Sequence, residues 1–134
     1  MLKKTITFTD YNGETRTEDF YFNLSKAEIS EMELEIPGGM EATLKKIIAA
    51  QDIPSLVKIF KDLIFRAYGE KSADGKYFLK KDKDGHRLAD LFAQTEAYSE
   101  LFMELASSAD AASDFINGIF PADLVAKAKE IEAQ

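Results

Sequence analysis

The sequence has 134 residues, 46% hydrophobic and 31% charged, and this balance predicts one globular domain with a single core. It contains no cysteine, which excludes disulfides, thiolate chemistry and cysteine-based zinc sites and favours an intracellular protein. The net charge is −7, and residues 88–134 hold 2 basic and 9 acidic groups, so binding to nucleic acid is not expected.

The N-terminal segment predicts an antiparallel β-hairpin. Two stretches of β-branched and aromatic residues flank an Asn-Gly pair, a strong turn signal. Ile6 and Phe8 share a face with Phe20 and Phe22 only if the loop has three residues and ends at Gly13. Burial of one apolar face therefore favours this loop, with Gly13 in a left-handed conformation.

Helical signals follow the hairpin. Ser25 and Glu28 have the spacing of a capping box, in which each side chain satisfies a free amide at a helix start. Apolar residues at helical spacing predict a second helix from Met40 and a third from Ile53, which Gly69 would end.

Helical periodicity is lost between residues 70 and 87 and then returns. Two Asp-Gly pairs in this segment predict turns, and the segment is expected to be a mobile loop or a small hairpin. Later helices are predicted to begin at Thr95, Ser108 and Pro121.

The predicted fold class is α+β and mainly α, with an N-terminal antiparallel β-hairpin followed by a bundle of about five to six helices. Residues 1–134 are expected to form one domain. Its parts are the hairpin 1–24, helices 25–69, the loop or small hairpin 70–87 and helices 88–134.

The residues give no sign of catalysis, so the protein is not expected to be an enzyme or to hold a cofactor or metal. His86 is the only histidine, and neither a catalytic triad nor a multi-histidine site is available to it. The stretch around Gly85 resembles part of a calcium loop. Alignment on that glycine puts Lys80 and Leu91 where acidic ligands belong, so the match fails.

A group of apolar residues provides candidates for binding a partner protein. Several apolar side chains lie off the predicted helix stripes or cluster near a glycine and a proline, which is typical of either a core that uses both helix faces or a surface filled by a partner. The candidates for partner binding are Phe65, Phe115, Ile116, Ile119 and Phe120.

Several segments resemble tail assembly chaperones from long-tailed bacteriophages and prophages of Gram-positive hosts. The segments that carry the resemblance are Lys4–Gly13, Glu18–Glu28, Lys58–Ile64, Tyr68–Ser72, Thr95–Leu105 and Phe115–Pro121. The resemblance implies a protein of the host cytoplasm, not of the membrane, that binds the tape measure protein and keeps it soluble during tail tube assembly. It implies the major tail protein as a second candidate partner and leaves self-association open.

The acidic C-terminal third supports an alternative function. A module of the anti-repressor, antitoxin or DNA-mimic type would use such a surface to bind a basic partner. That association would collapse with added salt, whereas apolar contacts with a tape measure protein would persist.

Overall fold

The computed structural model describes residues 1–35, 50 and 53–119, and the elements below belong to these residues. Four strands and five helices are present in this part of the chain. In chain order they are β1 (Leu2–Thr9), β2 (Thr15–Phe22), α1 (Lys26–Glu35), α2 (Ile53–Ala67), β3 (Tyr68–Lys71), β4 (Phe78–Leu79), α3 (Leu88–Phe92), α4 (Glu96–Ser107) and α5 (Ala109–Ile119). The helices predicted from Met40 and from Pro121 lie outside the described residues.

The four strands form one antiparallel sheet in the order β1-β2-β3-β4. The prediction of an N-terminal hairpin followed by a helical bundle is therefore wrong, because β3 and β4 extend the sheet from the middle of the chain. Both strands are too short for their side-chain alternation to be visible in the sequence. Strand β3 pairs with β2, far away in the chain, and β4 pairs with β3 across a local turn. Tyr21 pairs with Gly69, and Glu70 pairs with Leu79.

The register of the first hairpin agrees with the sequence prediction. Ile6 pairs with Glu18 and Phe8 with Arg16, which puts even-numbered residues of both strands on one face. The amide of Gly13 donates to the Asp10 carbonyl at 3.0 Å, and Gly13 has a φ of 80°. The three-residue loop with a left-handed glycine is thus confirmed.

The predicted helix starts at Ser25, Thr95 and Ser108 are also confirmed. The Ser25 amide donates to the Glu28 carboxylate at 3.0 Å, and the Glu28 amide donates to the Ser25 hydroxyl at 3.2 Å. Thr95 accepts from the Tyr98 amide and Ser108 from the Ala111 amide. Local side-chain chemistry therefore determines where these helices begin.

The core lies between the sheet and helices on one of its faces. Helices α4 and α5 pack against β1, and α3 packs against β3. The ring of Phe92 stacks on Tyr68 at 4.3 Å between centroids and lies edge-on to Phe22 at 5.8 Å. The opposite face of the hairpin is polar and exposed, and Thr5 there donates a hydrogen bond to Asp19.

No helix in the described part of the chain has both the length and the apolar character needed to cross a bilayer.

Helix α2 ends at Ala67, close to the stop predicted at Gly69, but Gly69 itself lies inside β3. A Cβ atom at this position would lie 2.5 Å from the Phe78 ring and 2.6 Å from the Leu79 carbonyl oxygen. We expect Gly69→Ala to lower the free energy of unfolding by about 1–2 kcal/mol, since backbone and ring must both move. Urea unfolding would measure the change.

Gly118→Ala provides the control for this prediction. A Cβ atom there would approach only the flexible side chain of Leu2, at 2.9 Å, and alanine is the better helix former. An equal loss of stability in both variants would contradict the steric explanation for Gly69.

Candidate partner-binding surface

The five residues proposed from the sequence do not form one exposed patch in the described structure. Phe115 and Ile119 belong to the core, with exposed fractions of 2% and 0%. The Phe115 ring lies edge-on to Phe22 with 5.3 Å between centroids, and the Ile119 carbonyl accepts a hydrogen bond from the Leu24 amide. In this conformation both residues hold α5 against the sheet and neither is available to a partner.

Phe65 and Ile116 are half-buried and lie against the core. Phe65 contacts the Tyr98 ring edge-on at 6.0 Å, and the Arg87 guanidinium lies 5.9 Å from its centroid. Arg87 also donates to the Phe65 carbonyl. Phe65 thus joins α2 to α4, and part of its ring is covered by a cation. Phe120 lies outside the described residues.

Other large apolar side chains are exposed, and the sequence interpretation did not select them. Leu34 on α1 is 88% exposed and Met103 on α4 is 62% exposed. Helical spacing contained this signal, because Met103 lies two positions from both Leu101 and Leu105, which are buried. The remaining exposed members of this group are Met1, Tyr11, Tyr77, Leu79 and Leu91.

Asp82, Asp84 and His86 are the one group of the described residues with ligand atoms close enough for a metal, within 4.8 Å of one another. Hydrogen bonds account for this arrangement. One Asp82 oxygen accepts from the amides of Asp84 and His86, and the other lies 3.2 Å from His86 Nδ1. The Asp10 turn has the same backbone pattern. The group is therefore explained as a turn.

These turns predict a loss of stability in acid. The side-chain hydrogen bond from Arg16 lowers the pKa of Asp10, and the backbone hydrogen bond from His86 lowers the pKa of Asp82. A carboxyl whose pKa is lowered by folding stabilises the fold above its unfolded pKa, about 3.9, and loses that contribution as the pH falls through the folded pKa. We expect the urea concentration at the midpoint of unfolding to decrease once the pH is below about 4.

The variant Asp82→Asn tests this expectation, because asparagine keeps an acceptor oxygen for both amides but does not ionise. Its stability should depend less on pH in acid than that of the unchanged protein. Asp84→Asn also removes one negative charge but leaves the Asp82 carboxylate, which accepts the hydrogen bonds of the turn, unchanged. It serves as the control. Identical acid dependence in Asp82→Asn and the unchanged protein would contradict a role for the turn.

Lys80 is the most highly coordinated cation of the described residues. Its Nζ donates to the Asn23 carbonyl at 2.9 Å, to the Glu28 carboxylate at 3.0 Å and to the Arg66 carbonyl. Burial lowers the pKa of Lys80, and the hydrogen bond with Glu28 opposes this. One side chain thus ties the segment after β4 to the end of β2, the start of α1 and the end of α2.

A cleft of about 670 Å³ opens beside β2, where β3 turns away to pair with β4. Glu18, Asp19 and Glu70 supply three negative charges to its lining, and Lys71 supplies one positive charge. The remaining lining residues are Phe20, Tyr21 and Tyr68. Burial raises the pKa of Tyr68 to about 12, and the charges of Glu70 and Glu18 add to the effect. The cleft is therefore aromatic and acidic.

The whole chain, residues 1–134, matches the model of a protein family described as phage tail assembly chaperone. No curated protein and no solved structure matches the chain.

Proposed function

Because this chain belongs to the phage tail assembly chaperone family, we propose that it binds the tape measure protein and keeps it soluble while the tail tube assembles. The family match over residues 1–134 is the observation that carries this proposal. The proposal includes the host cytoplasm as the place of action and the major tail protein as a second candidate partner. It also includes a role in binding rather than in catalysis.

The exposed apolar side chains support a binding role. Leu34 and Met103 lie outside the core, so contact with a partner would remove their apolar surface from water without unfolding the protein. An extended helical client exposes apolar faces that aggregate unless they are covered. Weak contacts of many chaperone copies along such a client would together retain it and still allow displacement.

Co-expression with the tape measure protein of the same phage tests the proposal. We expect the soluble fraction of the tape measure protein to rise and the two proteins to elute together in size-exclusion chromatography. The failure of the purified proteins to associate at micromolar concentrations, together with no gain in solubility, would contradict it.

The double variant Leu34→Ser with Met103→Ser tests whether these two side chains contact the tape measure protein. We expect it to bind the tape measure protein about tenfold more weakly, equivalent to about 1.4 kcal/mol. Glu31→Ser with Glu100→Ser changes exposed residues of the same two helices and is the matched control. Equal affinities of the two double variants would show that these apolar side chains do not contact the client.

Salt separates this function from the alternative of an acidic module that binds a basic partner. The exposed carboxylates of α4 and α5, which include Glu100, Glu104 and Asp110, are the observation that favours the alternative. Attraction between exposed charges is largely screened at high ionic strength, whereas apolar contact is not. Complete loss of binding to the tape measure protein at about 0.5 M salt would favour the acidic module.

A further inference from the structure

We propose that the side of β2 left open by β3 binds an extended, basic segment of a partner protein as an added β-strand. This inference rests on the proposed function only in taking that segment to belong to a client. The open strand edge, the charge of the adjoining cleft and the limited length of the free edge each support it.

The hydrogen-bonding direction of β2 shows which residues present the free edge. The Asn23 amide donates to the Ala67 carbonyl, so odd-numbered residues of this strand point their backbone groups towards β3. The pairing between β2 and β3 comprises only Tyr21 with Gly69 and Phe22 with Tyr68. By alternation, Thr15, Thr17 and Asp19 therefore direct their amides and carbonyls into space that no described strand fills.

The negative charge of the cleft favours a basic segment as the added strand. Glu18, Asp19 and Glu70 line the end of the free edge together with one cation, Lys71, and Arg16 lies 3.5 Å from Glu18, so this region keeps a net negative charge. Within residues 1–35, 50 and 53–119, Glu70 forms no ion pair. A lysine or arginine side chain on an added strand would supply the opposite charge and place its apolar stem against the aromatic lining.

The length of the free edge favours a single segment over a second sheet. Residues 15–19 span about 17 Å at the rise of a β-strand, enough for one short added strand. Strand β3 forms the far wall of the cleft, so the edge of a second folded domain would meet that wall. Addition of one strand to a sheet edge is a common mode of peptide recognition.

A synthetic peptide with the sequence Thr-Lys-Val-Arg-Val-Lys-Thr, acetylated and amidated at its ends, provides the direct test. We expect fluorescence anisotropy to show that it binds the full chain at least about tenfold more tightly than Thr-Glu-Val-Glu-Val-Glu-Thr. In NMR spectra, the amide shifts should be largest at residues 15–19. Equal affinities of the two peptides, or shifts centred elsewhere, would overturn the proposal.

N-methylation of the peptide backbone distinguishes strand addition from attraction between charges. Only alternate amides of an added strand face β2, so methylation of one alternate set should abolish binding and methylation of the other should preserve it. A contact made only through side chains would respond similarly to both sets, and that result would overturn the proposal.

Three variants of the protein complete the test. Glu18→Gln with Glu70→Gln should lower the affinity for the basic peptide about tenfold. Glu31→Gln with Glu100→Gln removes the same net charge elsewhere and should leave that affinity unchanged. Thr17→Pro removes an amide on the free side of β2, where no ladder bond to β1 is lost, and should also weaken binding. Equal effects of the two glutamate pairs would indicate general charge attraction and overturn the proposal.

The outcomes for this inference and for the proposed function can be distinguished. If the peptide binds β2 but the tape measure protein does not associate, the strand site stands and the proposed client is wrong. If the tape measure protein associates equally with the unchanged protein and with Glu18→Gln/Glu70→Gln, and the peptide does not bind, the function stands and the strand site is wrong.

Discussion

Replacement of Phe115 by alanine is expected to lower the free energy of unfolding by about 3–5 kcal/mol. The Phe115 side chain is 2% exposed, and its ring lies edge-on to Phe22, which is fully buried. The substitution removes most of an aromatic side chain from a packed interior and leaves a cavity that its neighbours fill only partly. Urea unfolding followed by circular dichroism would measure the loss.

Met103→Ala is the control for Phe115→Ala. Met103 is 62% exposed, so its truncation should change stability by no more than about 0.5 kcal/mol. A loss below about 1 kcal/mol for Phe115→Ala would contradict the core position, since burial of phenylalanine in a packed site contributes more than that.

The Phe115 result also determines how binding data should be interpreted. If Phe115→Ala binds a client poorly at a temperature where it is partly unfolded, the loss reports the folded fraction rather than a contact. Leu34→Ser with Met103→Ser avoids this ambiguity, because both side chains are exposed and contribute little to the fold.

Local signals in the sequence predicted local structure correctly. The register of the first hairpin followed from the need to bury Ile6, Phe8, Phe20 and Phe22 on one face, and the structure has that register. Short polar motifs predicted helix starts because a cap satisfies amides of the first turn wherever the helix later packs.

The same kind of reasoning missed the pairing of β3 with β2, and it left the small hairpin in residues 70–87 as one of two alternatives. Gly69 follows a strongly amphipathic helix and therefore indicated a helix stop, but it is needed where the Phe78 ring and the Leu79 carbonyl approach the backbone. Strands of four and two residues carry almost no periodicity. The pairing of β3 with β2 joins residues far apart in the chain, Tyr21 with Gly69, which a local pattern does not contain.

The candidate site was harder to predict than the fold for a related reason. An apolar residue such as Ile119 has the same sequence signature whether its helix face meets a sheet or a partner. The edge of β2 that no described strand pairs with could not be predicted, because it arises where β3 leaves β2 to pair with β4.

Lys80→Met is expected to lower the free energy of unfolding by about 2–3 kcal/mol. Methionine keeps most of the side-chain length but donates no hydrogen bond, so the carbonyls of Asn23 and Arg66 and the Oε2 atom of Glu28 each lose the bond from Lys80. The cost stays below the sum of three charged hydrogen bonds because the Lys80 side chain is 25% exposed, which lets water reach the groups.

Lys83→Met provides the control, because Lys83 is exposed in the same segment and its replacement should change stability by at most about 0.5 kcal/mol. Equal urea midpoints for Lys80→Met and Lys83→Met would contradict the bridging role of Lys80.

Amide hydrogen exchange provides a second measurement of this role. If Lys80 joins the segment after β4 to α1 and α2, Lys80→Met should speed exchange at the Leu88 amide, which donates to the Lys80 carbonyl at 2.9 Å.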